Sequence, residues 1–193
     1  MPKKATGLQQ LFVEELQDLY DAEKQLTRAL PKVAKSANDD ELGEALREHL
    51  EVTKGHVERL EQAFESLDLK AKSKPCAGMR GIVSEASEAI EEKQSDSEGV
   101  LDAAIAFGAR RVEHYEIAGY AAAIDMAREL GHEDVAGLLE ETLQEEQEAD
   151  EKLAEICKRI LQDAVSSEQS SEMEESEEGR SRGRQRPKTR AAR

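Results

Sequence analysis

Residues 105–123, IAFGARRVEHYEIAGYAAA, predict the fold of this chain more clearly than any other stretch. Small or apolar residues recur there along one helix face, at Ile105, Ala109, Val112, Gly119 and Ala123. Glu116 is in phase with that face, and Glu113 precedes it by one turn. The carboxylates of an amphipathic helix normally lie on its solvent face, so two glutamates in phase with the apolar face are unusual. The stretch predicts a core helix that carries carboxylates towards the interior.

Three more long helices are predicted on the same kind of periodicity. With the helix just described, the four cover about residues 7–38, 40–67, 98–130 and 133–164. Short links join the first two and the last two, so each pair must be antiparallel. Residues 68–99 form a long crossover with a short amphipathic stretch. The sequence therefore predicts an all-α, ferritin-like antiparallel four-helix bundle whose helix 2–3 crossover carries a short helix.

Composition supports a single helical domain. The chain has 193 residues, only 3% aromatic residues and no Trp, which is typical of long helices and not of a sheet. No apolar stretch is long enough to span a bilayer, and residues 1–6 lack a secretory signal, so we expect a cytoplasmic protein with no membrane contact. Cys76 and Cys157 have no metal-motif spacing and fit a reducing compartment.

The two ends of the chain are predicted to lie outside the bundle. Residues 1–6 form an N-terminal arm, residues 7–165 the bundle and residues 166–193 a tail. The tail contains no Ile, Leu, Val or aromatic residue, so we expect it to be disordered. Its first part, to residue 178, holds six acids, and residues 179–193 hold seven Arg or Lys. A net charge of −16 opposes nucleic-acid binding by the bundle, but this basic block could contact nucleic acid weakly.

Every long helix offers a possible metal ligand in phase with its apolar stripe. The candidates are Glu15 and Glu23 on the first helix, His49 and His56 on the second, Glu113 and Glu116 on the third, and Glu145 on the fourth, with Glu146 and Asp150 at its margin. In antiparallel helices, residues equally far from the connecting turn lie level. That rule places Glu23 beside His56, and Glu116 beside Glu145 or Glu146. The candidates therefore converge near the middle of the bundle.

Clustered carboxylates in a core must be protonated, ion-paired or metal-bound, since buried unpaired charges are strongly destabilising. Oxygen ligands with one or two imidazoles suit iron or manganese better than zinc. We therefore expect two iron or manganese ions, held chiefly by Glu23, His56, Glu116 and Glu145. Buried ion pairs of the glutamates with Lys24 or Arg110 are the alternative.

Four motifs resemble those of the YciE/YciF family of ferritin-like bacterial stress proteins, a former domain of unknown function. The motifs are LYDAEKQL at 19–26, HLEVTKGHVERL at 49–60, VEHYEIAGY at 112–120, and TLQEE at 142–146 followed by Asp150. The resemblance covers about residues 7–163. It implies a dimetal-type bundle, commonly a homodimer, that is linked to oxidative or osmotic stress.

The chain also departs from the wider ferritin-like pattern. That pattern has Glu-x-x-His on the second and fourth helices, and neither helix has it here. Val52 stands where relatives often carry a second Glu, and His56 where they often carry Gln. The sequence therefore leaves three possible metal ligands on the second helix, His56, His49 and Glu51.

Two functional hypotheses follow. The first is a stress-response protein whose dinuclear site reacts with peroxide or oxygen, as in ferroxidase or catalase-like chemistry. The second is a non-enzymatic dimeric bundle, metal-free or with a vestigial site, that could bind nucleic acid through residues 179–193. Iron storage in a cage fits less well, because the tail and the missing Glu-x-x-His pairs are not features of cages.

Overall fold

The chain folds as a bundle of four long helices with one shorter helix packed on it. The structure is a computed structural model that describes residues 7–93 and 97–184, with the backbone alone for residues 168 and 170–184. The helices are α1 (Leu8–Ser36), α2 (Asp40–Ser66), α3 (Ala77–Lys93), α4 (Glu98–Glu129) and α5 (Glu133–Arg184). No strand is present in these described ranges. Among the same residues, no helix has the length and apolar character needed to cross a membrane.

Two tight connections make the antiparallel pairs. Asp39 caps α2, where its Oδ1 accepts a hydrogen bond from the Leu42 amide at 2.9 Å. In the α4–α5 connection, Gly131 has a φ of 78°, a left-handed conformation that glycine adopts easily. The amide of His132 donates to the Ala127 carbonyl at 2.9 Å and closes the end of α4. Both hairpins agree with the sequence prediction.

The crossover from α2 to α3 is attached to α1 by hydrogen bonds. The Cys76 amide donates to Asp21 Oδ2 at 2.9 Å, and Gln25 Nε2 donates to the Cys76 carbonyl at 3.0 Å. The Cys76 thiol lies 3.0 Å from the Tyr115 hydroxyl of α4. Helix α3 then packs against α4 and α1. The predicted long crossover with its short helix is confirmed.

The apolar core is divided into two clusters. The cluster near the crossover, called the crossover cluster below, includes Leu26, Leu30, Leu46, Ile105, Val112, Leu153 and Ile156. The cluster near the α4–α5 turn, called the turn cluster, includes Phe12, Leu16, Leu60, Phe64, Tyr120, Val135 and Leu139. The change from one cluster to the other falls near the middle of α1, α2 and α4, and between Leu139 and Leu153 on α5. Apart from Glu15, the predicted ligands lie in that interval.

The C-terminal part of the chain differs from the sequence prediction. Helix α5 continues to Arg184, so residues 166–184, predicted to be disordered, have helical backbone. Extending an existing helix needs no new nucleation, and the Glu, Gln and Arg of this stretch are good helix formers. The predicted arm of residues 1–6 and the end of the basic block, residues 185–193, lie outside the described residues. The division of the chain at residue 165 remains a prediction.

Candidate metal centre

A layer of buried polar side chains separates the two apolar clusters. It consists of Glu23 from α1, His49 and His56 from α2, Glu113 and Glu116 from α4, and Glu146 from α5. We call these six residues the polar layer. His49 is 8% exposed and the other five are at most 1% exposed. Each residue follows the periodicity of its helix, so the same face that buries Leu and Ala above and below also buries these groups.

Glu146 lies between the two imidazoles. Its Oε1 is 3.0 Å from His56 Nδ1, and its Oε2 is 3.8 Å from His49 Nε2. Glu23 Oε1 lies 3.3 Å from His56 Nδ1, and Glu113 Oε1 lies 3.4 Å from His49 Nε2. Two groups of three possible ligands result, Glu23–His56–Glu146 and His49–Glu113–Glu146, with the ligand atoms of each group within 4.8 Å of one another. Glu146 belongs to both groups.

Many atoms of the polar layer have no hydrogen-bond partner. Among the described residues, the buried side-chain atoms without one are Glu23 Oε2, His49 Nε2, His56 Nδ1, Glu113 Oε2, and both carboxylate oxygens of Glu116 and of Glu146. The contacts of His56 Nδ1 are short enough for ion pairs, but their directions fall outside hydrogen-bond geometry. Buried polar groups in proteins are nearly always hydrogen-bonded, so a cluster of such atoms calls for a missing partner.

The charges within the polar layer shift its pKa values in opposite directions. Burial, and then the neighbouring carboxylates, raises the pKa of Glu113 and of Glu116 well above the ordinary value. Burial by itself lowers the pKa of His56, but the carboxylates of Glu146 and Glu23 outweigh it and raise this pKa to about 10. Burial acts to raise the pKa of Glu146, which His56 nevertheless holds below its ordinary value. Without a bound cation, these shifts favour a charged His56–Glu146 pair and oppose ionisation of Glu113 and Glu116.

Neighbouring side chains orient two of the polar-layer residues. The Tyr120 hydroxyl, fully buried, donates to Glu23 Oε1 at 2.5 Å. On the other side, His56 Nε2 lies 2.9 Å from Glu145 Oε2, and Arg59 holds that carboxylate with two hydrogen bonds of 2.9 and 3.2 Å. In the neutral tautomer with the proton on Nε2, His56 donates a hydrogen bond to Glu145. Its Nδ1 atom then has a free lone pair that faces Glu23 and Glu146. An imidazole fixed in this way is typical of metal-binding histidines.

The structure places the four principal candidates in different surroundings. Glu23, His56 and Glu116 lie together in the polar layer. The prediction that Glu145 points into the core is wrong, because its side chain is 38% exposed and is paired with Arg59. Glu146 takes the interior position instead. A signal for this was present in the sequence, since Leu139, Thr142, Glu146, Ala149 and Leu153 recur at intervals of three and four.

The secondary candidates divide in the same way. His49, Glu113 and Glu146 join the polar layer, whereas three others lie elsewhere. Glu51 is exposed and pairs with Lys54 at 2.7 Å. Asp150 pairs with Arg110 at 2.7 Å, and half-buried Glu15 of α1 lies beside Gly119 of α4. The alternative of an ion pair between Arg110 and a core glutamate therefore has no contact to support it in the described part of the chain.

The polar layer has the composition of a dimetal site without the usual spacing. Ferritin-like dimetal bundles use four glutamates and two histidines, with a Glu-x-x-His pair on two helices. Here Thr53 stands three residues before His56, and Ala149 stands three residues after Glu146. His49 and Glu113 supply an imidazole and a carboxylate from other turns, so four glutamates and two histidines are again present. The donor set and its unpartnered atoms fit two cations.

Fold and site together define an all-α protein of the ferritin-like four-helix bundle class, with a buried cluster of Glu and His residues. Within that class, the chain belongs to the family described as "Domain of unknown function (DUF892)", which matches residues 7–166. The resemblance read from the four motifs is thereby confirmed.

Individual relatives support this membership. The chain is 43% identical to Protein YciF of Escherichia coli K12 over 151 residues, which are 78% of this chain and 90% of that protein. It is similar to the crystal structure of the E. coli stress protein YciF, with a TM-score of 0.78 and 41% identity over 82% of this chain and 99% of the other. It is also similar to YcfI, a putative structural protein from Rhodopseudomonas palustris, with a TM-score of 0.75 and 40% identity over 80% and 97% of the two chains.

Proposed function

We propose that the polar layer binds two metal ions, iron or manganese, and that this centre is the functional site of the protein. The observation that carries the proposal is the set of buried side-chain atoms without a hydrogen-bond partner, all of which, in the described part of the chain, belong to six residues with metal-binding side chains. Divalent cations would neutralise the carboxylates and provide the missing partners. A purely structural core would more easily be filled with apolar residues, since buried charges seldom stabilise a fold.

The ligand groups assign roles to particular residues. Glu23, His56 and Glu146 would hold one ion, and His49, Glu113 and Glu146 the other. Glu146 is the shared residue. Glu116, fully buried with both oxygens unpartnered, interacts electrostatically with the carboxylates of Glu23, Glu146 and Glu113, but it belongs to neither group of three ligands. Glu145 is left out of this set, because its carboxylate is already bound by Arg59.

The protein residues around the centre prepare it for redox chemistry. Two bound iron or manganese ions would supply electrons to dioxygen or peroxide, or accept electrons from peroxide, which is the chemistry we propose for the centre. Tyr120 fixes Glu23, and the Glu145–Arg59 pair fixes His56, so both side chains are held before any ion binds. The apolar clusters on both sides keep bulk water away from the site. By analogy with the E. coli stress protein, we propose a role in a stress response. That the stress is oxidative, and that the protein acts as a homodimer, remain predictions from the family resemblance.

Metal analysis of the full chain tests this proposal. Protein stripped with chelator, reconstituted with Fe(II) or Mn(II) and desalted should hold about two ions per chain. The adjacent glutamates give a matched pair of variants. We expect Glu146→Gln to lose most of the bound metal and Glu145→Gln to keep the stoichiometry. Less than about 0.2 ions per chain in the wild type, when a filled site demands two, would refute the proposal.

Activity assays then distinguish the enzymatic hypothesis from the non-enzymatic one. If the loaded protein oxidises Fe(II) or consumes peroxide faster than free metal, and Glu146→Gln does not, the enzymatic hypothesis is supported. If the wild type holds no metal, a structural role is favoured, and the relative from R. palustris is indeed described as a putative structural protein. Nucleic-acid contact through residues 179–193 remains a prediction, which a binding assay with a chain truncated after residue 165 would test.

A further inference from the structure

A cleft between α2 and α5 leads from the surface to His49. Its volume is about 190 Å³, and it is lined by Ala45, Leu46, Glu48, His49, Val52, Glu145, Glu148, Ala149, Lys152 and Leu153. A water molecule in liquid occupies about 30 Å³, so the cleft has room for several waters or for a cation with part of its hydration shell. The cleft is therefore large enough to connect solvent with the edge of the polar layer.

Short side chains on the two helices keep this cleft open. Ala45 and Val52 lie two turns apart on α2, and Ala149 lies on α5. Ala149 stands three residues after Glu146, where a Glu-x-x-His pair would place an imidazole. The methyl group of Ala149 leaves the volume of that ring unfilled. The missing Glu-x-x-His pair on α5 thus coincides with an opening to the site.

His49 joins the cleft to the polar layer. It is the most exposed of the six polar-layer residues, at 8%, and it lines the cleft. Its Nε2 atom, buried and without a hydrogen-bond partner, lies 3.4 Å from Glu113 Oε1 and 3.8 Å from Glu146 Oε2. The same side chain therefore contacts the cleft and the second ligand group.

The rim of the cleft is acidic. Glu48, Glu145 and Glu148 line it, and two cations oppose them: Lys152 pairs with Glu48 Oε2 at 2.5 Å, and Arg59 pairs with Glu145 at 2.9 Å. The three carboxylates outnumber these two cations. A recess lined by net negative charge raises the local concentration of cations and their rate of association. Charge and volume together favour a small divalent cation over an anion or an organic molecule.

A second cavity reaches the polar layer from the opposite side, but it differs in character. It measures about 40 Å³ and is lined by apolar side chains from α1, α2, α3 and α4, with Glu113 as the one ionisable residue among the described residues that line it. A cation would lose its hydration there with no compensating ligand until it reached Glu113. This cavity is poorly suited to the passage of ions.

We propose that the cleft between α2 and α5 is the route by which divalent cations reach the polar layer, and that His49 is the first buried ligand they meet. The proposal rests on the proposed function, since it concerns loading of the same centre. It adds a charged route from the surface to a site in the interior of the bundle.

The rate of metal uptake tests the route separately from the capacity of the site. Metal-stripped wild type is mixed rapidly with Mn(II) in the presence of a fluorescent chelator, which reports free metal over time. Ala149→Leu fills the cleft, whereas Ala29→Leu makes the same change at a half-buried alanine of the apolar cavity. We expect Ala149→Leu to slow uptake by about tenfold, equivalent to about 1.4 kcal/mol added to the barrier. Both variants should reach the wild-type stoichiometry at equilibrium.

Equal uptake rates for wild type and Ala149→Leu would overturn the route and leave the metal site intact. Failure of the wild type to bind Mn(II) at all would instead overturn the proposed function, and the route with it. A surface variant that carries no packing change gives a second measurement. The double change Glu48→Gln and Glu148→Gln should slow uptake several-fold at low salt, with a weaker dependence on ionic strength. An unchanged rate and salt dependence in this variant would also count against the route.

Discussion

The polar layer and the turn cluster occupy neighbouring levels of one bundle, but they satisfy opposite requirements. In the turn cluster, side chains such as Phe12, Leu16 and Phe64 are at most 1% exposed and contribute apolar burial. In the polar layer, equally buried glutamates keep oxygen atoms without partners. Burial of apolar area stabilises the fold, whereas burial of unpaired carboxyl groups opposes it. The comparison separates the level that stabilises the fold from the level that we propose to bind metal. Substitutions can test the two levels one at a time.

The largest expected effect is a loss of stability on truncating the turn cluster. Phe64 is 1% exposed and packs edge-on against Tyr20, with ring centroids 5.9 Å apart. Phe64→Ala should lower the free energy of unfolding by about 3–5 kcal/mol, because it removes apolar contacts and leaves a cavity. Leu161→Ala, at a 40% exposed position, should change it by less than about 0.5 kcal/mol. Urea unfolding of both variants provides the measurement, and similar values for the two would contradict the assignment of the core.

A change of opposite sign is expected in the polar layer. Glu116 is fully buried with both oxygens unpartnered. Glu116→Leu should therefore stabilise the metal-free protein by about 1–3 kcal/mol, since an apolar side chain of similar size removes the unpaired group. The same variant should bind less metal. Glu116→Gln is the control, because it keeps a polar group of the same shape and should give little or no gain. Marked destabilisation by Glu116→Leu in urea unfolding would mean that the carboxyl group has partners.

Two tyrosines give a sharper version of the comparison. Tyr120 donates to Glu23 in the polar layer at 2.5 Å, and Tyr20 donates to Glu61 at 2.6 Å away from it. Each Tyr→Phe variant should cost about 1 kcal/mol of stability, the net value of a hydrogen bond. Only Tyr120→Phe should also weaken Mn(II) binding, by about tenfold, because Glu23 loses the group that orients it. Calorimetric titration of both variants would reveal an equal loss of affinity if Tyr120 has no special role.

The smallest expected effect lies at the surface, where Arg159 pairs with Asp39 at 2.8 Å. The guanidinium group of Arg159 holds the pKa of Asp39 below its ordinary value of 3.8. The pair therefore adds stability above pH 3.8, and this contribution is lost as the pH falls through the lower pKa of the folded state. Arg159→Met should lower stability by less than about 1 kcal/mol at pH 7. Thermal melts that show a constant difference from wild type down to about pH 3 would contradict this.

The fold could be predicted from the sequence because its signals are redundant. Apolar residues of each long helix recur over many turns, and the turn glycine Gly131 and the capping Asp39 mark the connections. An error of one residue at a helix end leaves such a pattern unchanged. The structure of residues 166–184 was harder to predict. A segment whose composition is too polar to form a core can still continue a helix that already exists.

The site could be predicted only in part, because neighbouring residues differ by about 100° in direction around a helix. In the sequence, Glu145 and Glu146 both lie near the edge of the apolar stripe of α5. Which of the two is predicted to face the core depends on whether the stripe is counted from Leu138 or from Leu139. Leu139 is 1% exposed, and counting from it places Glu146 inside. The partner that holds Glu145 outside, Arg59, lies on another helix, and sequence spacing does not report contacts of this kind.

Anomalous diffraction from crystals of the Mn(II)-loaded protein tests the central claim most directly. The account predicts two manganese peaks inside the bundle, one among Glu23, His56 and Glu146 and the other among His49, Glu113 and Glu146. Glu146 should contact both ions, and Glu145 should remain paired with Arg59. A polar layer without manganese in crystals soaked at saturating metal, or manganese bound at the surface alone, would contradict it.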